Sequence, residues 1–124
     1  MNPGEAYAER WIAAWNSMEL DRALELWAED MEFSSPLAAE LTGSAVLRGK
    51  SAAAAYWREA LSRAGELSFE LRQALWDPAA RTVTILYRRR RGGEVRIAAE
   101  IVRLNAEGLG VSGVALHGAP LGDG

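Results

Sequence analysis

Glu100 is the residue whose neighbours make acid–base chemistry most plausible. It interrupts an apolar run, Ile97-Ala98-Ala99-Glu100-Ile101-Val102. A carboxyl group in such surroundings loses hydration, so its pKa rises and it becomes a proton donor or base near neutral pH. The competing reading is structural: a carboxylate paired with Arg48, Arg72 or Arg89, since ion pairs also perturb titration. His117 is the only histidine. It either moves a proton and orients a substrate carbonyl, or sits half-buried at a sheet end on one backbone partner. Ser34 and Ser35 stand before Pro36. A serine without a partner is no base, and polar residues are common at strand ends. Arg88 to Arg91 form the strongest charge run. As one patch it would bind phosphate or nucleic acid. In a strand, alternate side chains point to opposite faces, so the run reads instead as a hairpin tip or salt-bridged rim.

Composition narrows the chemistry further. The 124 residues suit one domain spanning 1–124, and the net charge of −3 argues against general nucleic-acid affinity. There is no cysteine, which removes disulfides, thiolate catalysis and Cys-based zinc sites. One histidine and scattered carboxylates make a poor metal site, and no cofactor motif is present, so no metal or cofactor is expected. No stretch reads as a signal peptide or membrane span, so a cytoplasmic protein is expected. Five tryptophans supply apolar area for a core or an aromatic cavity wall.

The elements that must position these residues follow from periodicity. Asn2-Pro3-Gly4-Glu5 has the form of a capping box with proline at the first helical position. Tyr7, Trp11, Ala14, Trp15 and Met18 then recur at helical spacing. A second helix is expected to bury Leu20, Leu24 and Trp27. Met31–Ser35 alternates as a short strand, stopped by Pro36, and a long loop is expected to run to about Gly49. Such a loop suggests the mouth of a cavity. A third helix starts at Lys50 or Ser51, buries Ala53, Trp57, Ala60, Leu61 and Ala64, and ends at Gly65. From Glu66 the period becomes two. Strands are expected at 67–76, 81–90, 94–105 and 111–117, with turns at Asp77-Pro78, Gly92-Gly93 and Ala106–Gly108, and a fraying tail from Gly118.

Helices first and a meander of long strands afterwards make an α+β pattern. Val83, Ile85 and Tyr87 alternate with Thr84 and Leu86, and Ile97, Ala99 and Ile101 with Ala98, Glu100 and Val102, so both faces of the sheet carry apolar residues. Strands apolar on both faces require cover on both. Three helices cover one face, so a homodimer through the outer face is expected. Pairing around the 106–108 turn would put Glu100 opposite about Gly113, with His117 about 10 Å further along.

These segments together resemble the SnoaL-like group of the nuclear transport factor 2-like superfamily, which includes ketosteroid isomerases. The resemblance is carried by WIAAWNSMELDRALELWAEDMEFSSP, VLRGKSAAAAYWREAL, ELSFEL, VTILYR, AAEIVRLNAEG and ALH. It implies an α+β cone: three N-terminal helices packed in the concavity of a curved, mainly antiparallel sheet, around an interior pocket, usually in a homodimer. It also implies that Glu100 lies where ketosteroid isomerases place a protonated acid that stabilises an enolate. His117 falls where similar sequences often carry a histidine. The general base expected after the first strand is matched by Ser35, and the donating tyrosine of the first helix by Trp11, so steroid isomerisation is not expected. Related polyketide cyclases and epoxide hydrolases place a carboxylate on the last strand, and none stands between Gly108 and Pro120 here. Glu100 and His117 are thus the candidate catalytic residues. Trp11, Trp15, Ser35, Leu37, Leu41, Leu47, Tyr56 and Val102 are the candidate contacts for a small apolar molecule, with Val46 also near the mouth. A polyketide-, terpenoid- or steroid-like compound fits that reading; a carrier or a scaffold filled by its own side chains is the alternative.

Overall fold

The computed structural model describes residues 1–121. Helix α1 spans Pro3–Asn16 and opens on the expected capping box. The Asn2 side chain accepts from the Glu5 amide at 2.8 Å, and the Glu5 carboxylate accepts from the Asn2 amide at 3.0 Å, which satisfies two donors that a bare helix start leaves open. Helix α2 is only Leu20–Leu24. Trp27 does not belong to it. It begins strand β1, Trp27–Ser34, four residues earlier than the alternation suggests. A register irregularity between Trp27 and Glu32 breaks the period-two pattern there and conceals the strand's start.

The segment from Pro36 to Gly49 is not a loop. It holds helix α3, Pro36–Thr42, and strand β2, Val46–Arg48. Pro36 stops β1 and also occupies the first turn of α3, where its missing amide costs nothing. Ser35 caps that helix, accepting from Leu37 and Ala38 amides at 3.1 and 3.3 Å. Gly43 ends it at φ +81°, a left-handed conformation that favours glycine.

Helix α4, Lys50–Ala64, follows, and then the strands β3 (Leu67–Asp77), β4 (Thr82–Arg91), β5 (Glu94–Leu104) and β6 (Gly110–Pro120). The tail is more ordered than its composition suggests. Residues 118–120 continue β6, the Leu121 amide donates to Val95 O at 2.7 Å, and 122–124 lie outside the described residues. The strands form one curved, unclosed sheet in the order β2-β1-β6-β5-β4-β3. Every neighbouring pair is antiparallel except β1 with β6, which is parallel. Four helices pack on this sheet, an α+β cone. Helix α1 lies against β3 and β4, and α4 against β1.

Side-chain size closes one end of the cone. Tyr7, Trp27, Met31, Val83, Val102 and Leu104 are all essentially buried there. Trp27 lies directly on β6: a Cβ added at Gly113 would come within 2.5 Å of its ring, and one at Gly110 within 2.7 Å. Glycine at these positions is what lets the indole reach the sheet.

Candidate functional site

On β5 the residues 98, 100, 102 and 104 face inward and are buried. Glu100 stands between Ile85 of β4 and Ala115 of β6. The expected partner was Gly113. The turn instead sets Leu104 opposite Gly110, and the irregularity that follows puts Arg103 opposite Ser112, which shifts the whole register. His117 therefore lies only two residues beyond the partner of Glu100 and on the same face, about 7 Å along the strand rather than 10 Å.

Glu100 is 5% exposed, and none of the three candidate arginines pairs with it. Arg48 is joined to Glu32, Arg72 is exposed on β3, and Arg89 reaches Glu94. Its partner is Trp11, whose indole Nε1–H donates to Oε2 at 2.8 Å. Burial raises the carboxyl pKa and the indole bond opposes that rise; the outcome is about 8, so at pH 7 the group is mostly the neutral acid. The position that resemblance assigned to a donating tyrosine thus holds a donor aimed at the acid itself.

A cavity of about 110 Å³ lies above Glu100, on the side away from the closed end. Trp11 stacks on Phe69 with ring centroids 5.4 Å apart, and Tyr87 touches both rings at 4.9 and 4.7 Å. Trp15 meets Trp57 at 5.3 Å, and Phe33 meets Tyr56 at 6.0 Å. Of the sequence candidates, Trp11, Trp15, Ser35, Leu37, Tyr56, Glu100 and His117 all line this space. Leu41, Leu47 and Val102 do not. Val102 packs between Val83 and Gly113 in the closed end, Leu47 is buried where β2 meets β1, and Leu41 leans on the core from α3. Val46 is exposed on the edge strand.

Ser35 and Tyr56 form a polar pair in the wall, with their hydroxyl oxygens 3.1 Å apart. The Ser35 oxygen already accepts two backbone amides, so its own proton goes to Tyr56 and the tyrosine O–H is left to donate elsewhere. Burial raises the Tyr56 pKa, the Ser35 bond opposes this, and the phenol stays protonated. Ser35 is thus a cap and an orienting group rather than a base. His117 is exposed at the rim, where Arg89 Nη1 stands 3.4 Å from Nδ1. A guanidinium only donates, so Nδ1 accepts and the neutral ring carries its proton on Nε2. Partial desolvation against the cavity rim, together with Arg89 and Arg96, holds its pKa below the ordinary histidine value.

Sequence reasoning missed Arg89 and Arg91 as lining residues. Both continue the inward series of Tyr87 at a spacing of two, so alternation along β4 contained the signal. Among the described residues no cluster of three or more His, Cys, Asp or Glu is placed to hold a metal, and no helix is long and apolar enough to cross a membrane.

Four helices packed on a curved, unclosed, mostly antiparallel sheet make the cone fold of the nuclear transport factor 2-like class. The model of the SnoaL-like domain matches residues 8–111, and the chain belongs to that family. A SnoaL-like protein of unknown function from Burkholderia thailandensis is 33% identical, with 94% of this chain and 95% of that one covered and a TM-score of 0.84. A protein of unknown function with a cystatin-like fold from Methylobium petroleophilum is 19% identical over 98% of this chain and 80% of its own, at a TM-score of 0.75. A computationally designed 17-OHP binder shares the fold at 12% identity and a TM-score of 0.74, covering 93% of this chain and 90% of the other. No curated protein matches the chain.

Proposed function

We propose that the chain takes a small apolar molecule into this cavity and acts on it as a cofactor-independent isomerase, dehydratase or cyclase, with Glu100 as the acid. A polyketide-, terpenoid- or steroid-like ring system fits the aromatic walls. One observation carries the reading: a buried carboxyl group with no cationic partner, held neutral near pH 7, borders an aromatic cavity. A neutral acid can donate a proton or a hydrogen bond to a carbonyl oxygen as negative charge develops there. Tyr56, with its O–H uncommitted, is the second donor, and His117 orients the substrate from the rim.

The test is proton exchange. Enolisable ketones of these three classes are incubated in D₂O and followed by NMR. The proposal expects deuterium at the α-carbon of at least one, slowed about 10²-fold or more by Glu100→Gln. Binding without exchange favours the alternative, a ligand carrier. It is supported by the likeness to the designed binder, which is a fold that binds without a reaction being named.

The outer face supports a partner of its own kind. Leu75 and Leu116 are about half exposed, and Val114 more than a third. Leu75, Thr84, Ile101 and Val114 lie in one cross-strand row, with Leu86, Ala99 and Leu116 in the next. We infer a homodimer through these rows, and light scattering of wild type against Leu116→Asp is the check: a dimer that becomes a monomer supports it, a monomeric wild type at micromolar concentration sinks it.

A further inference from the structure

We propose that the ligand is an apolar molecule bearing a single carboxylate, and that Arg89 at the rim of the cavity recognises that anion. This rests on the ligand-binding reading above and names the class of compound.

Arg89 is under-used for a residue of its kind. Its side chain is only 15% exposed, yet it makes no short hydrogen bond. Nη2 reaches Glu94 Oε1 at 3.4 Å, Nη1 reaches His117 Nδ1 at 3.4 Å, and the buried Nε has no partner among the described residues. Charge-assisted bonds from a guanidinium are ordinarily nearer 2.8 Å and often paired in parallel. Glu94 does not fill the role, because its carboxylate is bound more closely by Arg96, at 2.7 Å. Burial lowers the pKa of Arg89, Tyr87 and Glu94 oppose that, and the neighbouring Arg96 and Arg91 add to it.

The one carboxylate within ion-pair reach of Arg89 among the described residues is Glu94, which Arg96 holds more closely. Among the described residues Glu100 is the only carboxyl group lining the cavity, and it is neutral near pH 7. The two lining cations have different roles. Arg91 donates to the carbonyls of Arg63 at 3.0 Å and Ala64 at 3.4 Å, and so closes the C-terminal end of α4. Arg89 has no such task. Phe69 pairs with it across β3 and β4, and both residues line the cavity. The chain as a whole is acidic, so positive charge at this rim is local. A planar carboxylate takes the guanidinium fork, while the hydrocarbon part of the same molecule rests among Trp11, Phe69 and Tyr87.

The experiment is calorimetric titration with matched pairs: 1-naphthylacetate against 1-naphthylacetamide, and phenylacetate against phenylacetamide. Wild type is expected to bind a carboxylate about tenfold or more tighter than its amide. Arg89→Gln is expected to remove that preference while leaving amide affinity in place, and Arg89→Lys to keep part of it, because charge remains without the fork. Arg90→Gln makes the same charge change on the outer face of the strand and is expected to leave the preference intact. An amide that binds wild type as well as its carboxylate overturns the anion assignment and leaves the ligand-binding reading standing. Failure of all four probes up to about 5 mM, the weak end of useful affinity, overturns both. An unchanged preference in Arg89→Gln overturns the choice of residue. Should that variant not fold, the wild-type pair decides the ligand class and Arg89→Lys the residue.

Discussion

The two halves of the cone are built on the same strands and differ in side-chain volume. Along β5, the inward positions from the closed end outward are Leu104, Val102, Glu100 and Ala98. Along β6 they run from Gly113, covered by Trp27, to Ala115 and His117. In the closed half, large side chains from helix and strand meet glycine and leave no room. In the open half, Ala60, Ala64 and Ala115 face aromatic rings across empty space. A cavity here needs no special backbone. It needs small residues where the other half has large ones, with an acid at the boundary.

The division can be broken by substitution. Trp27→Ala removes the side chain that plugs the closed half and is expected to cost about 3–5 kcal/mol in urea unfolding. A loss no greater than that of an open-half change would refute the division. Glu100→Gln tests the boundary and works in the opposite direction. Because the native pKa of about 8 lies above the ordinary 4.5, the native chain keeps a proton that the unfolded chain has released across that range. Stability therefore falls as pH rises from 4.5 to 8. The glutamine variant loses this slope and should be more stable than wild type at pH 9 by on the order of 5 kcal/mol. Parallel stability curves for the two proteins would mean that Glu100 titrates normally. Gly113→Ala forces a methyl group against the Trp27 ring and should cost about 1–3 kcal/mol. Ala60→Leu, which adds volume in the open half, should change unfolding by less than ~1 kcal/mol and yet abolish naphthylacetate binding. A large destabilisation there would show that the space is not available.

Much of this architecture is legible in the sequence because it is local. The capping box at Asn2, the period change at Glu66 and the turn at Asp77, whose carboxylate accepts from Ala79 and Ala80, are each written within a few residues. What escaped depends on distant pairing or on one residue with two roles. Trp27 reads as helical because the irregularity after it interrupts alternation. Pro36 reads as a stop, and only the Ser35 cap reveals that it is also a start. The candidate site follows the same rule. Glu100 stands out because a charge in an apolar strand is a local anomaly. Arg89 is hidden in a run of four arginines, and only the inward series from Tyr87 separates it from Arg88 and Arg90. The pairing of Trp11 with Glu100 joins residues at opposite ends of the chain and leaves no trace in either neighbourhood.

The parallel pairing of β1 with β6 has a consequence for how the chain is made. β1 lies beside β6, and Phe33 aligns with Gly113, about 80 positions later. During synthesis from the N-terminus, Trp27, Met31 and Phe33 are translated long before the strand that carries Gly110 and Gly113. Until then the hydrophobic side of β1 has only β2 and the helices as company. Late non-local pairing of this kind slows folding and leaves apolar surface open to wrong partners. The nascent chain is therefore at its most vulnerable just before β6 emerges, and the final eleven-residue strand is the piece that seals it.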